Sequence, residues 1–316
     1  MLRFLLRRLT ELVLTLLAAS FLVYGSVFLA PGKPETFLLG GRGANPEALA
    51  AIRAQYHLDE PFAVQYAKWL GSALTGDFGQ SVQYRSDVLG LVGARLPGTL
   101  VLIAMAATLV IVVGLVLGWV GAVRGGALDS AVLVGTSVAV ATPSFVAAIV
   151  LLAVFSVQLG WFPTLGSGAG PLDMLYHLTL PSIALALPFV GVLARVTRAA
   201  MLEQLGREHV AVARSRGIPE RTVIRRHVLR NALGTVVTQG GLTLSGLVIC
   251  TILVESAFGL GGLGEFLARS VTVKDYPVVQ AVSLLVVGLF VLVNLVIDLV
   301  HPWLDPRVAL GTRSAA

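Results

Sequence analysis

Six apolar runs, at residues 9–30, 99–121, 131–157, 178–194, 233–254 and 278–300, alternate along the chain with polar stretches punctuated by Gly and Pro. A helix needs ~20 residues to cross a hydrocarbon core about 30 Å thick, and about 17 suffice at the lower limit. The pattern therefore predicts an all-α membrane protein with six transmembrane helices. The first run follows Arg3, Arg7 and Arg8, as the core of a signal peptide would. It is longer than the usual ~7–15 residues of such a core, and five further runs follow, so an uncleaved anchor is expected. Gly114-x-x-x-Gly118 in the second run predicts close backbone approach to a neighbouring helix. Thr142-Pro143-Ser144 predicts a kink in the third, because Pro143 removes a backbone donor. The fourth run holds Pro181 and Pro188. The fifth carries Thr235, Thr238, Gln239, Gly240, Gly241, Thr243, Ser245 and Gly246, a polar, small-residue face unsuited to lipid. That face suits a translocation path or a moving helix interface, with Pro143, Thr238, Gln239 and Ser245 as path or hinge candidates. Plain helix packing accounts for it equally well.

The polar stretches set the orientation. An even number of spans places both termini on one side. With both termini inside, 15 of the 23 basic residues fall inside, nine of them Arg in the fourth loop. Six of the remaining eight lie in the long 31–97 segment, where six acidic residues balance them. Loops longer than ~60 residues count little for the positive-inside rule, so N-in, C-in is expected. The 31–97 segment then forms a small extracytoplasmic cap between the first two spans. Asn45-Pro46-Glu47 opens one short helix there, reaching Tyr56. A second runs from Pro61 to Leu74 with Phe62, Tyr66 and Trp69 near the interface, and Gly76-Asp77-Phe78-Gly79 turns the chain.

Composition agrees with this reading. Only 13% of residues are charged and mean hydropathy is +0.86, against roughly 25% charged in soluble domains. The sequence pI near 9.9 raises nucleic acid as a partner, but the Arg residues cluster between spans, so no nucleic acid is expected. Between Arg195 and Leu233 stand nine Arg and three Glu, a net of +6 that equals the charge of the whole chain. Helix formers from Glu203 to Arg216, with Glu203 and Arg207 in the favourable i, i+4 order, precede a stop at Gly217. Pro219 then occupies the first position of a second helix that runs from Glu220 to Leu233 and into span five. Such a helix–Gly–helix corner suits a rigid docking lever. A solvated loop that merely satisfies the positive-inside rule is the plainer alternative.

Several chemistries are excluded or disfavoured. The single cysteine, Cys250, lies in an apolar run and offers neither a disulfide nor a cysteine metal cluster. His57, His177, His209, His227 and His301 are scattered and form no metal-binding motif, so no metal and no other cofactor is expected. Gly259-Leu260-Gly261-Gly262-Leu263-Gly264 matches a dinucleotide fingerprint by letter, but it follows a membrane helix rather than a strand and reads as a tight turn. No G-x-x-x-x-G-K-[ST] loop is present. Acidic residues inside the spans are almost confined to Glu11, Glu255 and Asp298, all near span ends. A secondary carrier, which shows buried acids along its path, is therefore disfavoured, and the driving energy comes from another chain.

The hairpin also carries a resemblance. Glu208-x-x-x-x-Ala213-Arg214-x-x-Gly217-Ile218, followed by Arg226-His227-x-Leu229-Arg230-Asn231-Ala232-Leu233, resembles the coupling segment of binding-protein-dependent ABC-transporter permeases. More narrowly it is similar to the dipeptide/oligopeptide branch, which includes nickel permeases. Arg195-x-x-Arg198 and Asp275-Tyr276-Pro277 extend the likeness, as does Leu304-Asp305-Pro306-Arg307. Gly76-Asp77-Phe78-Gly79-Gln80-Ser81 and Gly160-Trp161-Phe162-Pro163 resemble the first, B-type, of the two paired permeases. The resemblance implies a type I ABC importer transmembrane domain at 98–302, with a coupling segment at 203–233. An anchor and cap precede it at 1–97, and a cytoplasmic tail follows at 303–316. It implies four protein partners besides membrane lipid: a second permease, two cytoplasmic ATP-binding subunits and an extracytoplasmic solute-binding protein. The chain would be a multi-pass protein of the bacterial inner membrane, not itself an enzyme. Glu208, Ala213, Arg214, Gly217, Ile218 and Pro219 would couple it to the ATPases. The cargo implied is di- or oligopeptide, with nickel or another small solute as the alternative. Two positions depart from the pattern, Lys33 where relatives often carry Asp, and Pro219 where many carry Ser.

Overall fold

The computed structural model describes residues 2–29, the single positions 47, 50 and 53, and residues 59–304. The expected cap helix from Asn45 to Tyr56, the departure at Lys33 and the tail motif from Asp305 onward lie outside the described residues, apart from those single positions. The described regular structure is helical, with one isolated antiparallel bridge between Gln80 and Asp87. In chain order the helices are α1 (Leu2–Leu29), α2 (Phe62–Leu74), α3 (Val88–Arg124), α4 (Gly126–Ala141) and α5 (Ser144–Leu151). A π-helical stretch, Leu152–Gln158, continues α5. Next come α6 (Pro171–His177), α7 (Thr179–Leu205), α8 (Glu208–Ser215) and α9 (Arg230–Phe258), then α10 (Leu263–Val273) and α11 (Tyr276–Leu304). Among the described residues, five helices are long and apolar enough to cross a membrane, and a bent pair, α4 with the α5 segment, makes six if counted as one span.

The chain divides into two compact units, residues 1–100 with 260–291, and residues 101–259 with 292–316. In the first, the aromatic residues expected near the interface hold α2 against α1. Phe21 meets Phe62 and Tyr66 edge-on at 5.6 and 5.4 Å, and Tyr24 meets Trp69 at 5.1 Å. Two side-chain hydrogen bonds accompany the rings: Ser20 with the Tyr66 hydroxyl at 2.7 Å, and the Tyr24 hydroxyl donating to Gln65 at 3.4 Å. Such ring pairs stabilise by about 0.5–1.5 kcal/mol beyond their buried area.

The turn after α2 forms as the sequence predicts. Gly76 and Gly79 take φ of 85° and 78°, and the Asp77 carboxylate accepts the Gly79 amide at 2.9 Å. Asp275 fixes the residues that follow. Its carboxylate, 1% exposed, accepts the Ser81 hydroxyl at 2.5 Å and the amides of Val82 and Gln83 at 3.1 and 3.2 Å. Two motifs almost two hundred residues apart thus meet at one carboxylate. Asp275→Asn trades an acceptor oxygen for an amide donor facing donors, and should cost about 1–3 kcal/mol. A fall in the thermal midpoint of the detergent-solubilised protein measures this; an unchanged midpoint would refute it. Below the turn, Val88, Val92, Leu263, Phe266, Val278, Ala281 and Val282 form an apolar core. The Arg95 guanidinium lies 4.2 Å from the Phe266 ring centre.

In the second unit α7 is the central element, packed against α4, α5 and α9. Gly118 of α3 lies so close to α7 that an added Cβ would come 2.5 Å from the Thr197 Cβ and 2.6 Å from the Ala194 carbonyl. A Cβ on Gly114 would meet Leu193 at 3.0 Å. The small-residue pair predicted from sequence is thus a place of close backbone approach between two helices. Asp129 at the start of α4 forms a two-point ion pair with Arg198 of α7, the second contact at 2.5 Å.

Span three departs from the expected kink. Pro143 is not inside a helix; it precedes α5, and the two halves are bent by 100°. The residue before a proline is forced out of the helical region. Thr142 accordingly has φ −90° and ψ 112°, while its hydroxyl turns back to the Val138 carbonyl at 2.8 Å. A full break results.

The 159–178 connection is tied down by its own side chains. Asp173 accepts the Ala169 amide at 2.7 Å, and His177 Nδ1 lies 3.0 Å from the Gly166 carbonyl. The tempting glycine motif is a turn, as expected. Gly259 closes α9 in the left-handed conformation, φ 56°, and Gly262 precedes α10.

Candidate functional site: a charged hairpin at the base of span five

The sequence leads the structure to expect one helix from Glu203 to Arg216. Instead α7 ends at Leu205, Arg207 is extended, and α8 begins at Glu208. Gly206 weakens the helix at that point. The Glu203–Arg207 ion pair still forms, now bridging the corner. Within α8, Glu208 sits in the first turn and Arg214 in the last, each opposite in sign to the end of the helix dipole it faces.

The end of α8 is a Schellman motif. The Gly217 amide donates to the Arg214 carbonyl at 2.9 Å, and the Ile218 amide to the Ala213 carbonyl at 3.3 Å. Gly217 has φ 71°, where an L side chain is strained, and a Cβ there would meet nothing within 4 Å. The glycine is therefore required by backbone conformation, and its surface is open. Pro219 is extended and precedes the helix, with Glu220 in its first position, so Pro219 lies one place earlier than expected. The helix resumes over Glu220–Thr222, widens to a π-helix over Val223–Leu229, and runs on through α9.

Inside the hairpin, Val210 and Ala213 of α8 are buried, as are Val223 and Val228 of the π-helical arm packed against it. Arg214 reaches across the turn to Glu220 with two hydrogen bonds, 3.0 and 2.6 Å. That contact raises the guanidinium pKa above its ordinary value. At the foot of the hairpin the His227 carbonyl accepts the Asn231 amide at 2.6 Å, and His209 Nε2 lies 3.2 Å from the same carbonyl and 3.4 Å from the Asn231 amide nitrogen.

The proposed coupling residues are brought together but differ in situation. Glu208, Arg214, Gly217 and Pro219 are exposed and Ile218 is half-buried, whereas Ala213 is internal to the hairpin. The path candidates do not join them. Thr238 is exposed and its hydroxyl bonds to the Gly234 carbonyl; Gln239 is half-buried; Ser245 is buried and bonded to the Gly241 carbonyl. Pro143 lies at the break before α5, whose first residue, Ser144, is buried. Glu220 and Asn231 escaped the sequence reading as a pair of anchors. The six-residue spacing of Arg214 and Glu220 is not a helical neighbour spacing, and only the turn makes them adjacent.

The chain is a transport permease and belongs to the family of binding-protein-dependent transport system inner membrane components. That family's model matches residues 110–310, and the model of its N-terminal region matches residues 1–103. A Brucella abortus (strain 2308) protein, provisionally named a peptide transport system permease protein, is 37% identical over 96% of this chain and 98% of its own length. The glutathione transport system permease protein GsiC of Salmonella paratyphi A is 36% identical over 98% of this chain and 99% of its own. Among solved structures, a chain of the MetNI methionine ABC transporter in inward-facing form matches with a TM-score of 0.53 and 21% identity, covering 69% of this chain and 97% of that one. The fold is that of a type I ABC importer transmembrane domain, and the chain is a multi-pass inner-membrane permease subunit.

Proposed function

We propose that this chain is one of two permease subunits of an ATP-driven importer for di- and oligopeptides. The open left-handed Gly217 at the apex of a self-packed hairpin is the observation that carries the coupling assignment. In this reading two cytoplasmic ATPases each receive a hairpin, from this chain and from its partner permease. Glu208, Gly217, Ile218 and Pro219 meet the ATPase surface, while Ala213 supports them from inside the hairpin and Arg214 through its exposed pair with Glu220. Closure of the ATPases on ATP moves the hairpin and switches the spans between inward- and outward-facing forms. An extracytoplasmic binding protein delivers the solute. Both termini lie in the cytoplasm, consistent with the Arg excess of the hairpin. Peptide as cargo is supported by relatives of full length whose names specify peptide or glutathione transport.

Uptake of labelled di- and tripeptides, glutathione and nickel by cells carrying the full transporter, with and without this chain, tests the cargo. Loss of peptide uptake on deletion is expected. Loss of nickel uptake alone would reassign it.

A further inference from the structure

Two contacts at opposite ends of the hairpin each cross between elements that a moving lever would have to keep together. At the tip, Glu220 holds Arg214 across the Gly217 turn with two short hydrogen bonds. The pair joins the last turn of α8 to the first turn of the next helix. Its charges match both helix ends, a cation at a C-terminus and an anion at an N-terminus. At the foot, the Asn231 amide nitrogen at the start of α9 lies 3.4 Å from His209 Nε2 at the start of α8, and both lie within bonding distance of the His227 carbonyl, at 2.6 and 3.2 Å. That carbonyl lies in the π-helical stretch, a local distortion frequent at functional sites. Between the two ties the apolar residues Val210, Ala213, Val223 and Val228 are 4% exposed or less.

The geometry points to Glu220 and Asn231 as positioning residues that lock α8 to the base of span five, so that hairpin and helix move as one body when the ATPases close. This rests on the coupling assignment above. An exposed ion pair contributes little to stability, so its value here is geometric. Without the tip tie, α8 can pivot about the glycine that makes its turn possible. Without the foot tie, the displacement is absorbed in the wide π-helical turn before it reaches α9.

The test uses the complete transporter in lipid nanodiscs, carrying Cys250→Ser with spin labels at Val212→Cys and Leu242→Cys, both exposed positions on α8 and α9. Pulsed spin-resonance distances are taken without nucleotide and after trapping with ATP and vanadate. The expected result is one narrow distance, the same in both states, which broadens in Glu220→Gln/Asn231→Ala. That variant should keep normal membrane levels and thermal midpoint, a combination that separates positioning from folding. A Val212–Leu242 distance that changes on trapping in the unaltered hairpin would overturn the proposal. So would a variant that keeps the narrow distance. Normal uptake by Gly217→Asp would instead overturn the coupling assignment on which the proposal rests, so the two failures are distinguishable.

Discussion

Gly217→Asp is expected to abolish uptake while leaving the permease folded and at normal abundance in the membrane. The two halves of that expectation have separate physical origins. A Cβ at position 217 meets no atom within 4 Å, so the side chain finds room, and the hairpin core of Val210, Ala213, Val223 and Val228 is untouched. The residue must still sit at φ 71°, which costs about 1–2 kcal/mol for most side chains and less for Asp or Asn. That is a local cost at an exposed turn. Function is another matter, because the same open surface is where the ATPase is proposed to seat. A carboxylate there adds bulk and an uncompensated negative charge at a close contact. Uptake of labelled peptide and ATP hydrolysis by the purified transporter give the readout. Gly217→Asn, which accepts the same backbone conformation without the charge, separates strain from contact. Normal uptake by the Asp variant would remove the hairpin from the coupling role.

The second large effect is expected at Gly118, and here the outcome is loss of stability. Thr197 and the Ala194 carbonyl already occupy the space that a single methyl at 118 would need. One of the obstructing atoms is backbone, so no rotamer change relieves it. Gly118→Ala should destabilise the protein by about 1–3 kcal/mol, the usual range for overpacking, and Gly118→Leu should exceed that. Gly135→Ala in α4 is the control, since a Cβ there meets open space. It should be neutral or stabilising by about 0.5–1 kcal/mol through reduced backbone freedom. Thermal midpoints of the three variants in detergent decide the matter. Equal midpoints for Gly118→Ala and Gly135→Ala would mean that α3 and α7 are not in close contact.

Much of the molecule was legible from residue order because bilayer constraints act on short stretches of chain. Apolar runs, a stop at Gly217, a turn at Gly76-Asp77-Phe78-Gly79 and a small-residue face on span two each depend on neighbours within a few positions. Readings that depended on one dihedral angle drifted. Pro143 produced a break of 100° rather than a kink, since the extended Thr142 before it acted together with the missing donor. Pro219 fell one position early, and Gly206 split a helix that the helix formers around it favoured. The polar residues of span five show a different limit. Thr238 and Ser245 look alike in sequence, yet one is exposed and the other is buried against its own helix backbone. A helix with polar residues all round does not reveal which side its neighbours cover.

The opening pattern of apolar and polar stretches therefore determines the class of protein, the position of its long apolar helices and the place of the hairpin. Each of these follows from hydrophobic length and local backbone preference. Tertiary structure alone decided that Asp275 anchors the turn at Ser81–Gln83, that Asp129 pairs with Arg198, that Glu220 pairs with Arg214, and that Asn231 meets His209. Those contacts join residues whose separation along the chain carries no periodic signal, and only packing brings their charges and donors within bonding distance.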